Sequence, residues 1–426
     1  MNIPKTSAPR IVVIGGGFAG ISFIKKLRKT KIQIVLFDRH NYHTFQPLLY
    51  QVSTAGLEPD SIAYPLRKIF RKNDDFHFRM ADVTAVDPTN NIIETSIGNL
   101  SYDYLVIATG TRTNFFGNDN IAKYSMPMKT VPQALNIRSL MLQNIEKADI
   151  TTNAEERKRL LNFVIAGAGP TGVELAGALA EFRKGILEND YPELEEEEMN
   201  VHLIEGLDRV LPPMSEEASE KAQKFLEKLG VQIHLETFIS DYDGKTVTTK
   251  DGRKFESATF IWAAGVTGAP VKGINGNALV GKANRYKVDK FNKIVGFKNI
   301  FALGDIALME TEDYPEGHPQ VAQPAIQQGK HLGDNFNKML QVKPMEPFNY
   351  LNKGTMATVG RNKAVVDIKK LRFGGAIAWF LWMFVHLWFL VGFRNRVVTF
   401  INWIYSYINY DRAARLIIRP YNKKHE

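Results

Sequence analysis

Cysteine is absent from all 426 residues. Without a thiol there is no disulfide, thiolate metal site, iron–sulfur cluster, cysteine nucleophile or dithiol shuttle, because each needs sulfur as ligand or nucleophile. Any electron chemistry therefore falls to a bound organic cofactor, and no metal site is expected. Low-complexity stretches are missing too, and 44% hydrophobic with 23% charged residues excludes disorder as the dominant character. Met1 to Arg10 lacks the apolar core of a secretory signal. At ~100–200 residues per domain, the length predicts two or three domains.

Acid is scarce at one end. Residues 351–426 hold 13 Lys and Arg against 3 Asp and Glu, while the first 350 residues, with 41 against 42, are near neutral. The basic total therefore does not read as a nucleic-acid footprint. Four of the five tryptophans (Trp379, Trp382, Trp388 and Trp403) share that tail. From Phe373 to Phe393 run 21 residues without Asp, Glu, Lys or Arg. By length alone that favours a membrane-spanning helix, which needs ~20 apolar residues. Eight of the 21 are aromatic, however, and tryptophan prefers the headgroup level. A second segment, residues 397–410, mixes Asn402, Asn409 and tyrosines with Ile and Val. Two helices lying in one leaflet are expected, with Arg394, Arg396, Arg412, Arg415 and Arg419 toward anionic lipid. A buried helix pair in a dimer core is the alternative.

Two segments repeat one pattern. Ile11 to Ile14, the turn Gly15-x-Gly17-x-x-Gly20 and Ile32 to Phe37 read strand, glycine turn, helix, strand, with Asp38 after the second strand. Asn162 to Ala166, Gly167-x-Gly169-x-x-Gly172 and Val201 to Ile204 read the same, ending on Glu205. In such a unit the first glycine permits the turn, the second lets the backbone approach a diphosphate, and the third packs helix on strand. The terminal acid accepts the ribose hydroxyls. Glu205 would repel a 2′-phosphate, so NADH is expected over NADPH; the bland reading is an exposed strand-end carboxylate. Strands Tyr104 to Ile107, leading to Ala108-Thr109-Gly110, and Phe260 to Ala263, leading to Ala264-Gly265, mark two crossings between domains. Phe301 to Leu303 followed by Gly304-Asp305 offers a carboxylate to a sugar or ribityl hydroxyl. Glu174, in the first turn of the second glycine helix, is either a helix-terminus acid or a polar group facing nicotinamide and flavin. The acidic run Glu193 to Glu198 reads as a solvated loop, and residues 346–371 as a hairpin-rich sheet.

The ordered set resembles the flavoproteins with two dinucleotide-binding domains. His43-x-Phe45-Gln46-Pro47-Leu48-Leu49-Tyr50-Gln51-Val52, Ala322-Gln323-Pro324-Ala325-Ile326-Gln327-Gln328-Gly329 and the tail ending Gly392-Phe393-Arg394-Asn395-Arg396 are similar to type II NADH:quinone oxidoreductases. The missing cysteines exclude the disulfide-reducing and sulfide:quinone branches. The resemblance implies an α/β fold with two Rossmann-like domains, the FAD domain (residues 1–120 and 270–345) interrupted by the NADH domain (121–269), then a C-terminal membrane-attachment region (346–426). FAD would meet Gly15, Gly16, Gly17, Phe18, Ala19, Gly20, Asp38, Arg39, Thr44, Val83, Ala108, Thr109, Gly110, Asp305, Ala325 and Ile326. NADH would meet Gly167, Gly169, Gly172, Glu205, Ala264 and Gly265.

Hydride would pass from NADH to flavin N5, and electrons to ubiquinone or menaquinone, without proton pumping. Glu174, Gln323 and Gln327 would be the catalytic side chains. The two glutamines, spaced i, i+4, share a helix face, although satisfying backbone groups is their bland role. A homodimer attached to the cytoplasmic face of the inner membrane is implied. A redox-sensing flavin module and a reductase of a soluble electron carrier remain rival readings, separated by whether the tail serves a quinone.

Overall fold

The computed structural model describes residues 1–27, 31–73, 75–274, 276–281, 283–409 and 414–422. Arg412, expected at the lipid surface, lies outside them. The chain packs as two units: residues 1–43, 64–112 and 266–352 form the first, and residues 44–63, 113–265 and 353–426 the second.

The first unit is built on a five-stranded parallel sheet in the order Ile300–Ala302, Tyr104–Ile107, Arg10–Ile14, Gln33–Asp38, Phe76–Met80. Its strands read as nearly unbroken apolar runs because both faces are covered. Ile11, Val13, Ile34, Leu36 and Val106 pack on one side with Phe23 and Phe336. Val12, Ile14, Val35, Phe37 and Leu105 pack on the other with Ile93 and Tyr286. Helix Phe18–Leu27 follows the first strand, and helix Ala322–Met339 lies against it. The two come close because Gly329 has no side chain: a Cβ there would stand 2.3 Å from the Ala19 carbonyl oxygen.

The second unit repeats the design with strands Met126–Pro127, Thr259–Trp262, Asn162–Ala166, Asn200–Ile204 and Gln232–His234, again all parallel. Helix Pro170–Phe182 follows the central strand. The C-terminal sheet, Thr355–Thr358, Ala364–Ile368 and Leu371–Gly374, is antiparallel. It is fastened to helix Glu216–Lys228: Asp367 accepts the Ser215 N–H (2.6 Å) and hydroxyl (2.8 Å), and Arg372 pairs with Glu217 at 2.7 Å. The acidic run is only partly solvated, since Glu196 pairs with Arg183 and Glu198 with Arg157.

The long uncharged run does not become one helix. Its first residues finish the C-terminal sheet, and Gly375 turns the chain with φ 90°. Helix Ala376–Phe389 has 14 residues, or about 21 Å at ~1.5 Å per residue, against a hydrocarbon layer of ~30 Å. Helix Phe393–Asn409 follows. Among the described residues no helix is long and apolar enough to cross a membrane. Ile377, Phe380, Phe384, Trp388 and Phe393 are exposed. The opposite side grips residues 44–63 of the same unit. Trp403 Nε1 donates to Gln51 Oε1 (2.7 Å), and Asn395 Nδ2 donates to the carbonyls of Asp60 (2.9 Å) and Ala63 (3.0 Å). Of the basic residues expected on lipid, Arg394 pairs with Asp60 at 3.2 Å and Arg415 with Asp190 at 2.6 Å.

Candidate functional site

In the first unit the chain leaves strand Arg10–Ile14 through Gly15, at φ 107°, where a Cβ would lie 2.3 Å from the Ala108 carbonyl oxygen. A Cβ on Gly20 would lie 2.1 Å from the Gly15 oxygen. Backbone conformation and packing therefore account for these two glycines. Gly17 is different. Its φ is not left-handed, and a Cβ there would meet nothing within 4 Å. The protein itself makes no demand for glycine at that point, whereas a diphosphate approaching the backbone does. Asp38 Oδ2 accepts the Gly16 N–H at 2.6 Å, and Oδ1 accepts the His40 N–H at 2.8 Å, which fixes the carboxylate beside the loop.

The remaining residues expected at this cofactor gather on the same unit, apart from Thr44, which falls in the second. Thr109 follows the strand Tyr104–Ile107, and its buried hydroxyl has no hydrogen-bond partner among the described residues. Asp305 accepts from the Thr111 hydroxyl at 3.4 Å, and its backbone carbonyl takes the Gln320 amide at 3.1 Å. Arg285, buried beside it, donates to the carbonyls of Ala307 (2.6 Å) and His318 (3.1 Å). Ala325 sits against Gly304 in the first turn of helix Ala322–Met339. Arg39 is held by Asp82, at 2.5 Å, next to Val83. A dinucleotide fits this cradle: open backbone, an orphaned hydroxyl and a fixed carboxylate.

The second unit reproduces the geometry. Gly167, at φ 93°, would place a Cβ 2.6 Å from Ala264 Cα, and Gly172 one 1.8 Å from the Gly167 oxygen. A Cβ on Gly169 would meet nothing. Glu205 Oε2 accepts the Ala168 N–H at 2.6 Å and Oε1 the Leu207 N–H at 3.0 Å. Helix Pro170–Phe182 begins there without a side-chain cap, leaving amide groups for an anion. A Cβ on Gly265 would stand 2.8 Å from the Phe116 ring.

Glu174 projects away from solvent. It is buried, the Thr358 N–H points at its carboxyl, and the Trp382 indole lies beside it without reaching strict hydrogen-bond geometry. Burial, opposed by those dipoles, pushes its pKa up to about 8, so the carboxyl is mostly protonated at neutral pH. Trp382 stacks on His386 with ring centroids 4.0 Å apart, and Phe45 meets His386 edge-on at 6.0 Å. His386 Nδ1 lies 2.7 Å from the Trp382 carbonyl, which can only accept, so Nδ1 carries the hydrogen. Burial lowers the pKa of this histidine to about 4. One protonated acid and one neutral imidazole thus flank the indole of the first tail helix.

Gln323 and Gln327 lie on helix Ala322–Met339, which starts two residues before Pro324. Both polar ends of Gln327 hold the backbone of Leu351, at 2.9 and 3.0 Å. Sequence reasoning gave no role to Gln328, whose Oε1 accepts the Gly304 N–H at 2.7 Å and so seats the Gly-Asp turn. Nothing in its spacing distinguished it from its neighbours.

Residues 9–329 match the model of the pyridine nucleotide-disulphide oxidoreductase family, and residues 352–409 that of the NDH2 C-terminal domain. A type II NADH:quinone oxidoreductase of Mycobacterium tuberculosis is 35% identical over 422 residues, covering 96% of this chain and 90% of that protein. The chain belongs to the type II NADH:quinone oxidoreductases. An external alternative NADH-ubiquinone oxidoreductase of Yarrowia lipolytica is 26% identical, covering 93% and 79%. In fold, this type II enzyme superposes on NDH2 from Plasmodium falciparum in complex with NADH with a TM-score of 0.87, at 21% identity over 96% of this chain and all of that one.

Proposed function

We propose that this chain oxidises NADH and passes the electron pair to a membrane quinone, ubiquinone or menaquinone, without pumping protons. The observation that carries the reading is the double cradle. Each nucleotide unit fixes a strand-end carboxylate on the loop amide after its first glycine, at 2.6 Å in both, and each keeps an open glycine where a diphosphate approaches. FAD, when bound, supplies hydride acceptance and two-electron delivery. Gly15 to Gly20, Asp38, Thr109 and Asp305 would hold it. Gly167, Gly169, Gly172 and Glu205 would hold NADH, with Glu205 disfavouring a 2′-phosphate. Gln323 would offer a polar group to a quinone carbonyl, with Gln327 positioning the chain beside it. Glu174 would supply a protonated carboxyl at the foot of the tail.

The exposed aromatic face of the tail supports peripheral attachment to one leaflet. A homodimer on the cytoplasmic face, drawn to anionic lipid by the basic tail, completes the reading. The test is spectroscopic. The purified protein loaded with flavin should be yellow, bleach with NADH, and recover its colour with a short-chain quinone. Bleaching without recovery on quinone would instead favour a redox sensor or a carrier reductase.

A further inference from the structure

The amide after the first glycine is held in both cradles, and so is the carbonyl of the same residue. In the second unit Ala168 O accepts a backbone N–H, that of Leu211, at 2.7 Å. In the first unit the equivalent carbonyl, Gly16 O, has a side chain instead: His43 Nδ1, at 3.1 Å. A carbonyl can only accept, so Nδ1 carries the hydrogen and the tautomer is fixed. The imidazole is 2% exposed and meets Phe18, the first residue of the glycine helix, edge-on at 5.0 Å. Gly16 has little freedom besides, since a Cβ on it would stand 2.8 Å from the Leu66 methyl groups and 3.3 Å from Asp38 Oδ2.

We propose that His43 is a positioning residue of the FAD site, a side-chain replacement for the backbone amide that ties the corresponding carbonyl in the NADH site. With Asp38 on its N–H and His43 on its C=O, the Gly16 residue is held from both sides. The open backbone of Gly17 then stays where a diphosphate reaches it. Burial lowers the His43 pKa to about 4, so the imidazole remains a neutral, single-tautomer donor throughout the neutral range. The proposal rests on the reading of the first unit as the FAD-binding one.

The test compares His43→Asn, whose Nδ2 can take the place of Nδ1, with His43→Leu, which fills the space without a donor. FAD binding to the apoprotein is measured by flavin fluorescence, ADP-ribose binding to the second cradle by calorimetry, and the bound diphosphate by phosphorus NMR. His43→Leu should bind FAD roughly tenfold or more weakly, the effect of orphaning one buried carbonyl, and shift the diphosphate resonances. ADP-ribose affinity should not change. His43→Asn should bind within about threefold of the parent. Equal FAD affinity in parent and His43→Leu would overturn the proposal, as would equal losses in both variants, which would make imidazole shape the cause. Loss of ADP-ribose binding together with FAD would also overturn it, because the effect would then be general unfolding. A parent protein that binds ADP-ribose but no FAD would instead remove the FAD reading itself.

Discussion

Replacing Glu174 by Gln swaps a buried carboxylic acid for a neutral side chain of nearly the same shape, so the effect can be worked from ionisation alone. The native carboxyl titrates at about 8 against an ordinary value of 4.5. A raised native pKa means the folded protein holds a proton that the unfolded chain releases. That stabilisation is complete below pH 4.5 and is lost as pH rises through 8. Stability falls with slope 2.303RT per pH unit while only the unfolded state is ionised. From pH 6 to pH 8 the parent should lose about 2 kcal/mol through this one group, and Glu174→Gln should lose none of it. Denaturant titrations of both proteins at the two pH values give the double difference, in which all other titrating groups cancel. Parallel pH dependences in parent and variant would refute the buried, protonated state. The same variant should slow NADH-driven quinone reduction; unchanged steady-state rates would leave Glu174 a purely structural acid.

Gly17→Ala introduces a Cβ that meets no protein atom within 4 Å, so apoprotein stability should change by no more than about 1 kcal/mol while FAD binding weakens tenfold or more. Retained flavin affinity would show that the open backbone is not the diphosphate site. Glu205→Gln removes the charge that would face the adenosine ribose. The ratio of NADPH to NADH kcat/KM should rise about tenfold, in line with ~1.4 kcal/mol of lost repulsion, and an unmoved ratio would disconnect Glu205 from cofactor choice. Phe384→Glu with Trp388→Glu places two charges on side chains that are 62% and 64% exposed. Thermal stability should hold, while sedimentation with anionic vesicles should fall sharply. Undiminished vesicle binding would move the membrane contact elsewhere.

The two nucleotide units were legible because their demands are local. Gly20 and Gly172 are forced by contacts within one turn of chain, and Gly15 and Gly167 by their own left-handed φ of 107° and 93°, so the spacing carries the geometry, and the carboxylates at the ends of the second strands follow from parallel pairing. What escaped reading depends on residues distant in sequence. The donor opposite Gly16 could as well have been a backbone amide, as it is at Ala168, and no pattern around His43 announces the bond. The chemistry of Glu174 is set by its burial, only partly opposed by Thr358 and Trp382, which a helix-terminus argument cannot see. The uncharged run misleads for a related reason: averaging hydropathy over its length ignores that its first residues belong to a sheet and that Gly375 turns the chain.

Helical spacing places Gln323 and Gln327 on one face, but it cannot say who receives their hydrogen bonds. In the fold Leu351 takes both ends of Gln327. A quinone amide contact at Gln327 would therefore have to displace two existing hydrogen bonds, whereas a role in fixing residues near Leu351 would cost nothing further. Physical economy thus gives Gln327 the duty of fixing the chain at Leu351 rather than of meeting a quinone.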